Sequence, residues 1–124
     1  VKDFSEIPKD RILFRGDNFF IIQDLYPVSP GHLLVVSNSF KKDYFELSQL
    51  EIEELNSMIH KCKVIIEKVY KPDGYNIGMN CGEAAGQTVF QFHCHIIPRY
   101  VGDMKDPKGG VRHCIPGRGY YETP

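Results

Sequence analysis

Apolar residues gather in three short runs near the start of the chain, at residues 11–15, 19–24 and 32–38. The turn-prone "GDN" separates the first two and "LYPVSPG" the last two, which predicts a hairpin followed by a third strand. From residue 48 the period changes. "SQLE" has capping-box spacing, and Leu55, Met58, Ile59, Cys62, Ile65, Ile66 and Val69 then recur every three or four positions with charged residues between them. This predicts one long helix, stopped by "KPDG" and covering one face of a sheet. Two further strands are expected at 75–79 and 88–99, joined by "NCGEAAGQ". The Gly- and Pro-rich stretch 102–124 reads as an irregular surface tail. The order of elements implies an α+β fold with a largely antiparallel sheet, in a single domain over 1–124.

The last strand carries the chemistry. In "GQTVFQFHCHIIPR" alternate side chains point to opposite faces, so Thr88, Phe90, Phe92, Cys94 and Ile96 make an apolar side facing the helix. Val89, Gln91, His93, His95 and Ile97 occupy the other side, with about 7 Å between successive members. One reading is a solvated outer face. Another is a site, because Asn80, Gly82, Gly86, Gln87 and Thr88 form a loop of glycines and neutral hydrogen-bonding groups suited to phosphate oxygens. A third is metal binding by His93 and His95 with recruits among His32, Cys81, His113 and Cys114, although that spacing fits none of the usual zinc pairs.

Charge narrows the partners. Fifteen Lys and Arg against sixteen Asp and Glu give a net charge of -1, with no broad positive field for nucleic acid or an anionic membrane. Any phosphate must be met locally. The four cysteines are widely spaced without a Cys-x-x-Cys pair, which argues against a zinc ribbon or a disulfide framework. No apolar run is long enough to cross a bilayer, and a cytoplasmic location is the expectation.

The stretch "NCGEAAGQTVFQFHCHIIPR", with "SPGHLLVV" upstream, resembles the signature of the histidine triad (HIT) superfamily. That pattern alternates three histidines with apolar residues, and here Gln91 stands at the first histidine position. The resemblance implies a five-stranded antiparallel sheet with a long and a short helix on one face, assembled as a homodimer. It implies a nucleotide hydrolase or nucleotidyltransferase acting on dinucleoside polyphosphates or nucleoside phosphoramidates, with no cofactor. His93 would attack the α-phosphate of a purine nucleotide, its other ring nitrogen held by a backbone carbonyl such as that of Gln91. His95, Gln87 and Thr88 would stabilise the developing charge, and Gln91 would occupy the supporting position. Asn80 and Gly86 would line the phosphate, Asp24 would hold the ribose, and Phe14, Phe19 and Ile22 would form the base slot. His32 would support Gln91 or His93, and Lys105 and Arg112 of the tail would close over further phosphates. A purine-nucleotide sensor with weakened catalysis, and a zinc-binding protein, are the competing readings.

Overall fold

The structure is a computed structural model that describes residues 3–121. Five strands form one antiparallel sheet: β1 (Ile12–Arg15), β2 (Phe19–Gln23), β3 (Leu33–Ser37), β4 (Gly74–Gly78) and β5 (His93–Arg99), in the order β1-β2-β3-β5-β4. The β1–β2 turn is tight because the Gly16 N–H donates to the Phe19 carbonyl at 2.7 Å. A Cβ at Gly16 would stand 2.6 Å from the Glu54 carboxylate, which itself accepts from the Asn18 backbone and side chain. The sharp turn and the helix thus meet at that glycine.

The helix α1 (Gln49–Glu67) starts where predicted. Ser48 Oγ accepts from the Glu51 N–H at 3.2 Å while Glu51 accepts from the Ser48 N–H at 2.7 Å. Such caps contribute about 1 kcal/mol. Leu55, Met58, Cys62 and Ile66 are buried against Phe19, Ile21, Leu33, Val35, Phe92, Cys94 and Ile96. Val69, expected in this stripe, lies past the helix end and is exposed. Among the described residues the expected short second helix is no α-helix; one of several 3-10 turns, Tyr44–Glu46, precedes α1, and its Tyr44 packs on the core. Among the described residues no helix is long and apolar enough to cross a membrane.

The opposite face of the sheet is covered unequally. Phe20, Ile22, Leu34 and Val36 are buried beneath Phe4 of the N-terminal segment, so β2 and β3 are apolar on both sides. That cover reaches β5 only at His93, whose ring Phe4 meets edge-on, and burial along β5 alternates strictly, leaving His93 and His95 half-open. The site therefore lies where a two-sided core becomes one-sided.

Candidate active site

Register places the site residues in two rows across the sheet. Ile22, Leu34 and His95 are successive partners on β2, β3 and β5, and so are Phe20, Val36 and His93. Antiparallel partners share a face. The ladder ends at His93, because residues 88–92 leave it; the predicted strand is thus five residues too long at its start. The Phe92 N–H turns instead to the Lys41 carbonyl at 2.6 Å. Side-chain alternation nonetheless persists from Gln91 to Ile97, with Phe92 packed edge-on against Phe19 on the helix side.

The two imidazoles are held differently. His93 Nδ1 donates to the Gln91 carbonyl at 2.9 Å, which leaves Nε2 as a free lone pair. For His95 a chain of three bonds decides the tautomer. The Val28 N–H donates to His32 Nδ1 at 3.2 Å, so His32 carries its proton on Nε2 and donates it to His95 Nδ1 at 2.9 Å. His95 Nδ1 is then the acceptor, and its Nε2 must bear the hydrogen. Burial, with the charges His93 and His32 would carry, pushes the His95 pKa down to about 4 against the pull of Asp24. Burial likewise lowers His32, again opposed by Asp24. The pair of rings thus offers one nucleophilic nitrogen and one neutral N–H donor.

His93 and His95 open onto a cavity of about 390 Å³ whose walls include Phe4, Ile22, Leu34, Asp24 and Thr88. That volume is in the range of small-molecule sites. His95 also borders a second cavity of about 480 Å³ with His32, Asn76, Gly78, Asn80 and Cys114. The second opening exists because the β4 partner of His95 is Gly78, and a Cβ there would meet nothing within 4 Å.

Residues 5–102 match the HIT domain family. The chain belongs to the HIT family, whose members are nucleotide hydrolases and transferases. It is 34% identical over 111 residues to an uncharacterised HIT-like protein of Saccharolobus solfataricus, covering 90% of this chain and 80% of that one. It is 35% identical over 106 residues to an AP-4-A phosphorylase of Mycobacterium tuberculosis, covering 81% of this chain and 54% of that protein. A bis(5'-nucleosyl)-tetraphosphatase (asymmetrical) of Schizosaccharomyces pombe is 34% identical over 104 residues, 83% of this chain and 57% of its own. The chain thus spans little more than half the length of these two named enzymes. Among solved structures, a hypothetical histidine triad nucleotide-binding protein from Sulfolobus tokodaii superposes with a TM-score of 0.70 at 34% identity, over 77% of this chain and 64% of that one.

Within this HIT domain several expected site residues lie elsewhere. Phe14 is the β1 partner of Ile21, so it faces the helix, where Lys61 Nζ stands 4.7 Å from its ring centroid. Phe19 is fully buried in the helix-side core. Of the three proposed slot residues only Ile22 lines the cavity, together with Val89, placed on that side by alternation, and with Phe4, Leu25, Tyr26 and Leu34, which the sequence reading missed. Thr88, assigned by alternation to the helix side, lines the cavity instead because it precedes the strand. Gln87 is buried, with its carbonyl accepting from the Gly82 N–H and its amide donating to the Lys42 and Val89 carbonyls. It shapes the loop and presents no donor to the cavity. Gly86 closes the turn before it at a φ of +90°, a conformation that favours glycine.

His32 supports His95 rather than Gln91 or His93. Asp24 Oδ2 lies 3.4 Å from His32 Nε2 and 3.7 Å from His95 Nδ1, and its Oδ1 accepts from the Tyr26 N–H. Among the described residues these three, not His93 with His95, form the cluster able to approach a metal, their ligand atoms lying within 4.8 Å of one another. Any cation there would have to break the His32–His95 hydrogen bond. Gln91 is 3% exposed and its side chain bonds only to backbone, so it does not act in the cavity. Arg112 is engaged inside the tail by the Gly119 and Arg118 carbonyls and the Tyr121 ring, so it does not close over the site.

Proposed function

We propose that this HIT domain cleaves a purine nucleotide derivative at its α-phosphate through a covalent nucleotidyl-histidine intermediate. The observation that carries this reading is the His93 Nδ1–H bond to the Gln91 carbonyl, which in the neutral ring puts the lone pair on the opposite nitrogen, beside a cavity. The nucleoside lies in the cavity walled by Phe4, Ile22 and Leu34, with Asp24 at the ribose. His93 Nε2 forms a bond to phosphorus, and the leaving group departs with its electron pair and takes a proton from solvent. Water then forms a bond to phosphorus and loses a proton to solvent as the phosphorus–nitrogen bond breaks, and its electron pair returns to His93 Nε2. The His95 Nε2–H and groups near Thr88 stabilise the charge on the non-bridging oxygens. The leaving group exits toward the second cavity, at Asn80 and the far side of His95.

The names of the two enzyme relatives favour dinucleoside polyphosphates as substrates, and a two-fold dimer through α1 and the β4 edge is part of the proposal. His93→Gly should abolish turnover of a dinucleoside polyphosphate or an adenosine phosphoramidate while retaining AMP binding. Intact mass after quenching should reveal a nucleotidyl adduct on the wild type alone. Turnover by the glycine variant would overturn the reading. Light scattering on the eluted protein reports the dimer separately.

A further inference from the structure

Gln91 stands where the family pattern has its first histidine, yet its side chain turns away from the cavity. Its Oε1 accepts from the Phe4 N–H at 2.9 Å, across 87 residues of sequence, and its Nε2 donates to the Ser37 carbonyl at 2.7 Å. Both bonds are buried, and Ser37 at the end of β3 is fully so. Phe4 is itself 8% exposed, lies on Ile22 and Leu34, and meets the His93 ring edge-on with centroids 5.1 Å apart. One residue therefore holds the nucleophile twice, by its backbone carbonyl on Nδ1 and by its side chain through the Phe4 ring.

We propose that Gln91 is a positioning residue that locks the N-terminal segment onto β3, and that this lock sets the wall of the nucleotide cavity independently of pH. The second half rests on the nucleotide reading given above. A carboxamide supplies one acceptor and one donor at every pH. An imidazole could match both only while neutral; once protonated it has two donors and faces the Phe4 N–H with no acceptor. A carboxyl group has the opposite failing. Protonated, it accepts from Phe4 and donates to Ser37; ionised, it sets a negative oxygen against the Ser37 carbonyl.

The test uses those opposite signs. The titratable and charged groups carried by the surrounding elements are His93, Cys94, His95 and Arg99 on β5, Asp3 and Glu6 on the N-terminal segment, and Lys41, Lys42 and Asp43 after β3, whereas Ser37 does not titrate. All are retained in each variant, so the wild type provides the baseline. Hydrogen exchange of the Phe4 amide, expressed as a protection factor, is measured between about pH 5 and about pH 8 in wild type, Gln91→Glu and Gln91→His. Each variant is read relative to wild type at the same pH, which carries the acid loss of stability common to all three proteins. Gln91→Glu should be protected in acid and lose protection roughly tenfold in base, and Gln91→His should do the reverse. Protection of the Val35 amide, at the core of the sheet, is read alongside and reports general loss of folding, so a drop confined to Phe4 is release of the lock. KM for the nucleotide should rise wherever protection falls, with the larger share of the change in KM rather than kcat. Equal Phe4 protection in all three proteins, or trends of the same sign in the two variants, would overturn the lock. If protection behaves as expected while KM does not follow it, Gln91 fails as a positioning residue. If no protein binds nucleotide, the lock stands and the proposed function falls.

Discussion

The neutral state of His95 comes from where its ring sits. Packed beside His32 and His93 and only partly open to water, it holds a pKa near 4 in the folded protein, against 6.5 for an unburied histidine. Between those values the unfolded chain binds a proton that the folded one refuses. The contribution is therefore intact above about pH 6.5 and is lost as pH falls toward 4, on the order of 1–3 kcal/mol. His32, also lowered, acts in the same direction. Urea unfolding at about pH 7 and about pH 5 should show this decline, and His95→Asn, which cannot be protonated, should decline less. Equal declines would remove burial of this ring as its cause. At this scale His93, His95 and the bond from His93 to the Gln91 carbonyl were legible from alternation and the family resemblance. The His32–His95 bond was not, because it needs the β3–β5 pairing to bring residues 63 apart into contact.

At the scale of elements, periodicity was most informative where one face alone is buried. The α1 stripe and its capping box follow from spacing, and so does the two-sided division of β5. Phe14 and Phe19 were misplaced for a related reason: β2 is apolar on both faces, so composition does not say which face looks at the site. The β1–β2 register settles it, since Phe14 opposes Ile21 and Ile21 faces the helix. Gln87 was misjudged because a buried carboxamide and a catalytic one look alike in sequence. The division of faces predicts thiol chemistry. Cys62 on α1 and Cys94 on β5 are fully buried, and burial pushes both thiols up to about 12. Cys81 is half-buried and Cys114 exposed. Iodoacetamide applied to native protein should label Cys114 and Cys81 and spare Cys62 and Cys94, with all four labelled in denaturant, as read by peptide mass. Rapid native labelling of Cys94 would mean that the helix does not cover β5.

At the scale of the molecule, His95 divides two cavities because the sheet has a gap beside it. On β3 its partner is Leu34, which walls the first cavity; on β4 its partner is Gly78, which supplies no side chain. A valine suits a strand, and a Cβ at this position meets no atom within 4 Å, so Gly78→Val should fold with little change in stability. Its side chain would enter the second cavity next to His95 and leave the first untouched. On the proposed route the nucleoside side is then unaltered while the departing group loses room. AMP affinity should stay within about threefold, whereas turnover of a dinucleoside polyphosphate should fall roughly tenfold or more relative to a substrate with a small leaving group. Comparing kcat/KM for the two substrates in wild type and Gly78→Val isolates the effect from any general loss of activity. An equal drop for both would show that the second cavity does not receive the leaving group, and weaker AMP binding would place the nucleoside on the β4 side of His95 instead.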